Sequence, residues 1–140
     1  MRLLCVLLIV LSALLMGMLG CKKEHELTCK TVSEEVDNRN ASELFHRDSS
    51  RVFTFEMYFN DSVSIAVGSR VAATGRLVSD FTNGMARSFL IKAQPREIIM
   101  IQTTSDCAYF PLKDGYKYLY FNRNKGKWKV TYSNVGRGYF

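Results

Sequence analysis

The sequence predicts a mainly β fold, a small antiparallel barrel or sandwich with one short N-terminal helix, and three observations carry that expectation. From Val52 onward large apolar residues recur at every second position, the period of a half-buried strand. Clusters of Gly, Asn, Asp and Pro interrupt the pattern about every ten residues, the punctuation of short antiparallel strands. At 140 residues the chain has room for one ordinary core.

The N-terminus reads as export machinery. Arg2 supplies the positive end, Leu3 to Leu15 an almost unbroken apolar run, and Gly17 to Gly20 a less hydrophobic exit. Residues 1–20 are accordingly assigned to a signal peptide, 21–31 to a charged tether and 32–140 to a single β-rich domain. From Ser33 to His46 a weak helix is expected, with Ser33 as N-cap, Glu34 and Glu35 in the first turn, and Ala41, Leu44 and Phe45 as a late apolar patch. In the next segment Phe53, Phe55, Met57 and Phe59 alternate with polar residues, and Asn60 with Asp61 marks a turn. Further strands are expected at Val63 to Val67, Arg70 to Ser79, Ala86 to Ala93, Glu97 to Thr103, Tyr116 to Phe121 and Lys127 to Tyr132. Gly68, Thr82 to Gly84, Gln94 with Pro95, Asp114 with Gly115, and Asn124 to Gly126 separate them. Asn83-Gly84 is the strongest hairpin signal of the set. Gly75, inside a strand pattern, reads as a bulge, a sharp bend or a merely tolerated glycine.

The junction Met18-Leu19-Gly20-Cys21 resembles the lipobox of bacterial lipoproteins. The resemblance implies cleavage before Cys21, a diacylglycerol on its thiol, and a lipid-anchored protein of the cell envelope facing the periplasm or the cell exterior. Met18 and Leu19 depart from the commonest lipobox residues. A retained anchor helix and a plain secretory signal ending at a chance cysteine are the rival readings. Two or more acyl chains anchor stably where one does not, each buried methylene contributing about 0.8 kcal/mol. Lys22 and Lys23 would lie beside anionic headgroups or simply keep the tether solvated.

Of the four cysteines, Cys5 leaves with the signal and Cys21 carries the lipid. Cys29 and Cys107 remain, and in an exported chain they suggest one disulfide. The rival readings are a catalytic or metal-binding thiol, but no C-x-x-C occurs and the histidines are His25 in the tether and His46. The bridge would close a loop of about 79 residues, for which chain entropy gives roughly 4.5 kcal/mol as an upper figure.

Val71 to Val78 with Gly75-Arg76, then Thr103 to Cys107, then Asp114-Gly115-Tyr116-Lys117-Tyr118-Leu119-Tyr120 resemble the netrin-like module. The segment 70–121 thereby implies an OB-like barrel. Metalloproteinase inhibition in that family uses the free amine of an N-terminal Cys within Cys-x-Cys. Here Cys29 is internal and the amine of a lipidated Cys21 is open to acylation, so only the fold suggestion carries over.

The net charge of +6 is unevenly placed. Cys21 to Asp61 carries six basic and nine acidic side chains, whereas Ser62 to Phe140 carries twelve basic and four acidic, a balance of +8. Lys113, Lys117, Arg123, Lys125, Lys127 and Lys129 are interleaved with Tyr116, Tyr118, Tyr120, Trp128 and Tyr132, a candidate surface for an anionic partner. A solvated strand face, rings inward and lysines outward, explains the same pattern without a ligand. Nucleic acid is disfavoured outside the cytoplasm; an anionic headgroup, polysaccharide or acidic protein suits the field.

No H-E-x-x-H, G-x-S-x-G or phosphate loop occurs, and the acid-poor β-rich half offers little for paired-carboxylate catalysis. No catalytic residue, metal site or cofactor is assigned. The expectation is a membrane-anchored, non-enzymatic binding module for a protein or envelope component. The alternative is an inhibitor or immunity-type protein presenting the Gln94 to Glu97 or Cys107 to Asp114 loop, and a third reading is an unrecognised hydrolase.

Overall fold

A computed structural model describes residues 28–39 and 49–139. Its elements are ten strands: β1 (Lys30–Thr31), β2 (Ser33–Val36), β3 (Ser50–Phe55), β4 (Asn60–Val67), β5 (Arg70–Val78), β6 (Arg87–Lys92), β7 (Ile98–Thr103), β8 (Cys107–Pro111), β9 (Tyr118–Asn124) and β10 (Lys127–Ser133). They form two five-stranded sheets, β1-β8-β7-β4-β5 and β2-β10-β9-β3-β6. The sheets are not closed into a barrel. The N-terminal segment contributes β1 to the first sheet and β2 to the second, so Lys30 to Val36 steps across one side of the layers.

Alternation of apolar residues builds the layer between the sheets. Val63, Ile65 and Val67 of β4 and Ile99 and Ile101 of β7 face Phe53 and Phe55 of β3, Leu119 and Phe121 of β9, and Trp128, Val130 and Tyr132 of β10, all buried. Phe121 stacks on Phe55 at 5.0 Å between centroids and also meets Phe53 at 5.3 Å and, from the opposite sheet, Phe110 at 5.7 Å. Offset and tilted ring pairs of this kind add about 0.5–1.5 kcal/mol each beyond area burial.

Several sequence expectations are corrected here. The helix over Ser33–His46 is not what its first residues form: Ser33–Val36 is strand β2, running parallel to β10 with Ser33 beside Lys129 and Val36 beside Tyr132. The two glutamates that look like helix N-terminal acids are ion-pair partners of lysines remote in sequence, Glu34 with Lys113 at 2.7 Å and Glu35 with Lys129. The remainder of that helix, from residue 40 on, lies outside the described residues, as do the signal segment and Cys21. Lys30 and Thr31, assigned to the tether, are β1 and pair with Ala108 and Tyr109.

The alternating run from Val52 to Phe59 is not one strand. It turns a corner at Tyr58, whose φ is 69°, and Asn60 and Asp61 begin β4 instead of forming a turn. The alternation survives the corner because Phe59 reaches back into the core, edge-on to Phe55 at 5.3 Å. Buried Ser79 locks the corner: its hydroxyl donates to the Glu56 carbonyl at 2.8 Å and accepts from the Phe59 amide at 2.9 Å.

β8 carries no alternation strong enough to be read in sequence, yet it lies between β1 and β7. The Cys107 to Asp114 stretch, read as an exposed loop for an inhibitor, is therefore mostly an interior strand, with Phe110 and Leu112 buried. Asn83-Gly84 does form a tight turn, closed by an Asp80–Met85 bridge. Its flanking strands β5 and β6 belong to different sheets, so it is not a hairpin. Gly75 stays in register opposite Val63, and the β4–β5 irregularity falls at Ile65 and Ala66. A Cβ at Gly75 would come 2.9 Å from the Arg87 guanidinium and 3.1 Å from the Phe89 ring, so close approach of β6 explains the glycine.

Candidate functional site

The hairpin of β9 and β10 positions the candidate groove. Lys125 (φ 49°) and Gly126 (φ 72°) form its two-residue loop, and positive φ at both central positions matches the right-handed twist of the flanking strands. Beyond the loop the register sets Asn122 opposite Lys129 and Asn124 opposite Lys127. These four side chains occupy the outer face of the second sheet, while Arg123, Trp128 and Val130 face inward. Rings thus go in and lysines out along β10, as its period of two predicts.

The six predicted cations do not form one field. Lys113 is paired with Glu34 at 2.7 Å and lies over the Tyr132 ring at 5.3 Å. Lys117 sits 5.8 Å from the Tyr118 ring. Lys129 is bound to Glu35, and that hydrogen bond holds the Glu35 carboxyl below its ordinary range. Arg123 is drawn inside. One of its terminal nitrogens bonds Asp61 and the Tyr58 carbonyl, and the other bonds Asp106 at 3.2 Å together with the Thr103 and Ser105 hydroxyls. The guanidinium lies over Phe59 at 5.0 Å and Trp128 at 5.7 Å. Asp61 and Asp106 belong to the first sheet's strands and turn and Arg123 to the second, so this cluster is a clamp between sheets, not a free cation.

Lys125 and Lys127 make no ion pair among the described residues. They line an open groove of about 580 Å³ together with Ser33, Tyr58, Asn122, Asn124, Trp128 and Lys129. A second hollow of about 330 Å³, lined by Lys30, Thr31, Val32, Ser33, Gly126, Lys127 and Trp128, adjoins it through the shared Ser33, Lys127 and Trp128. Lys30, read as part of the tether, is a site residue that sequence reasoning missed. Its ammonium donates to the Gly126 carbonyl at 2.9 Å and approaches Asp106 at 3.7 Å. Tyr58, Asn122 and Asn124 were missed too, since no local pattern distinguishes them from ordinary strand-end residues.

One boundary of the groove is a partly buried network around Glu56. Glu56 accepts hydrogen bonds from Asn122 at 2.5 Å, from the Tyr139 hydroxyl at 2.8 Å and from Arg137. The segment after β10 lies back over the outer face, with the Tyr120 hydroxyl donating to the Val135 carbonyl and accepting from the Arg137 amide, both at 2.9 Å. Burial, and then its hydrogen bond to Glu56, push the Tyr139 phenol well above its ordinary range; burial is also the largest cause raising Tyr120, with Arg137 pulling the other way. This strap packs against Tyr118 and Tyr120, while the hairpin end lines the open groove.

Cys29 and Cys107 form a disulfide, which holds β1 against β8 at the same end of the molecule. The Trp128 indole N–H is buried and finds no acceptor among the described residues, an arrangement that costs about 1–3 kcal/mol at the wall shared by both hollows. Chemically, the arrangement offers two ammonium groups without an ion pair among the described residues, two carboxamides and the hydroxyls of Ser33 and Tyr58 on a shallow face, a set that suits an anion spread over a surface more than one enclosed small molecule. Compared with protein-family models, curated proteins and solved structures, the chain finds no match.

Proposed function

We propose that this chain is an exported lipoprotein, anchored through Cys21, whose β domain is a non-enzymatic binding module for an anionic component of the envelope. The observation that supports it is the pair Lys125 and Lys127, without an ion pair among the described residues and flanking an open groove beside Tyr58, Asn122 and Asn124. The anchoring half rests on the lipobox resemblance. The likeness of 70–121 to the netrin-like module bears on fold alone and lends none of that family's inhibitory chemistry. The inhibitor reading keeps one of its two loops, Gln94 to Glu97, where Arg96 is held at φ 68°.

Trp128 is the sole tryptophan, so its emission reports on the groove without labelling. Titration of the purified protein with heparin as a probe polyanion is expected to change that emission, with affinity falling steeply as salt rises. K125E/K127E should weaken binding at least tenfold. Unchanged affinity in that variant would refute the assignment of the groove. Intact mass of the protein isolated from membranes tests the anchor: residues from Cys21 plus acyl chains are expected, and an unacylated mass would overturn it.

A further inference from the structure

The strand directions place the groove at one particular end of the domain. β3, β5, β7 and β9 run toward it, and β4, β6, β8 and β10 run away from it. The β3–β4 corner, the β5–β6 connection, the β7–β8 turn and the β9–β10 loop therefore cluster there. The N-terminal segment enters at the same end. β2 is parallel to β10 with Ser33 beside Lys129, so the chain before Ser33 runs back toward the loop, where Lys30 bonds the Gly126 carbonyl at 2.9 Å. The Cys29–Cys107 bridge holds it there.

We infer that this loop end faces the anchoring membrane and that its anionic partner is the phospholipid headgroup layer of the leaflet holding the lipid. The inference rests on the anchoring and groove readings above and names the ligand of that groove. If Cys21 carries the lipid, the seven residues Lys22 to Thr28 span at most about 25 Å. The loop end is then the nearest part of the domain to the bilayer, and the far end lies a strand length further out. Among the described residues Lys125 and Lys127 make no ion pair, and Lys30, its side chain 48% exposed, has Asp106 at 3.7 Å as its one acidic neighbour. Tyr58 and Phe81, 56% and 70% exposed, project from two loops of the same end. Cations flanked by exposed aromatic rings suit the headgroup region, where lysines meet anionic lipid and rings sit at the apolar boundary. Each lysine held near an anionic surface strengthens association by about fivefold, an effect that decays within about 8 Å at physiological salt. A tether of this length lets the groove come within that range of the headgroups.

The test uses the lipidated protein reconstituted in two vesicle types, phosphatidylcholine alone and equal parts phosphatidylcholine and phosphatidylglycerol. Lysine reactivity toward an amine-acylating reagent is mapped by mass spectrometry. Lys125 and Lys127 should react at least fivefold more slowly on anionic vesicles, and high salt should restore the rate. Lys92, exposed at the far end of β6, should not change. Equal reactivity of Lys125 and Lys127 on both vesicles would overturn the inference. If heparin binding and its loss in K125E/K127E persist in that case, the groove reading stands and the headgroup assignment alone falls. A mass without acyl chains on Cys21 would overturn the anchoring and the membrane orientation together.

Discussion

Replacing Arg123 with methionine removes the centre of the clamp between the sheets while keeping a side chain long enough to cover Phe59 and Trp128. In the intact protein the guanidinium divides its two terminal nitrogens between Asp61 and Asp106, and all three side chains are 13% exposed. Stranding a buried charge by deleting its partner costs about 3–5 kcal/mol, and here residual exposure places the cost near the lower end. The lost cation–π attraction adds about 1 kcal/mol. R123M should therefore destabilise the domain by about 3–4 kcal/mol. With a urea slope of roughly 1–3 kcal/mol per molar, the denaturation midpoint should fall by about 2 M. Neutralising the stranded acids is the control: R123M/D61N/D106N should recover about 2 kcal/mol relative to R123M, a coupling expected of groups in one network. R123K should fall between, because one ammonium cannot serve two carboxylates on opposite sides as the planar fork does. The reasoning fails if R123M lies within about 1 kcal/mol of the parent protein, or if the triple variant is no more stable than the single one.

Two further outcomes are expected. Converting Cys29 and Cys107 to serine should lower stability by up to about 4.5 kcal/mol, since the bridge spans a sequence separation of 78; urea denaturation of parent and variant reads the difference, and loss of less than about 1 kcal/mol would refute the clamp role of the bridge. Stability should also fall as pH rises past about 10. Tyr139 and Tyr120 have folded-state values raised above the unfolded value, so their contribution is fully present below about 10 and is lost above it, where the unfolded chain releases the phenolic protons first. Y139F, measured by urea denaturation from neutral to alkaline pH, should flatten that decline, and an unaltered slope would refute the link to Tyr139.

The strands that were legible are those whose alternation is local. Val63 to Val67, Arg70 to Ser79, Glu97 to Thr103 and Lys127 to Tyr132 need only their own period of two, and they reappear within a few residues as β4, β5, β7 and β10. Ser33–Val36 was misread because Ser-Glu-Glu has the same composition at a helix start and on an exposed strand. What decides between them is whether lysines from residues 113 and 129 are present to receive the two carboxylates. β8 was missed for a related reason, its burial resting on β1 and β7 and not on its own text. The candidate site was half legible. Its lysines were visible as a charge excess, but an ion pair depends on distance, and charges remote in sequence were not assignable to one another.

By itself the sequence determined a mainly β chain, the inward-facing rings and outward-facing lysines of β10, a turn within Asn124 to Gly126, and the pair of cysteines available for a bridge. Each follows from side-chain periodicity, backbone φ preference or residue counting, which act over a few neighbouring residues. Only the tertiary structure decided how ten strands divide between two sheets, that Arg123 is consumed by Asp61 and Asp106, that Lys113 and Lys129 are neutralised by β2, and that Lys125, Lys127 and Lys30 remain together at the end where the N-terminal segment enters. Those outcomes depend on pairing between segments 17 to 96 residues apart, whose ordering cost is met collectively by one core, so no single stretch of text encodes them.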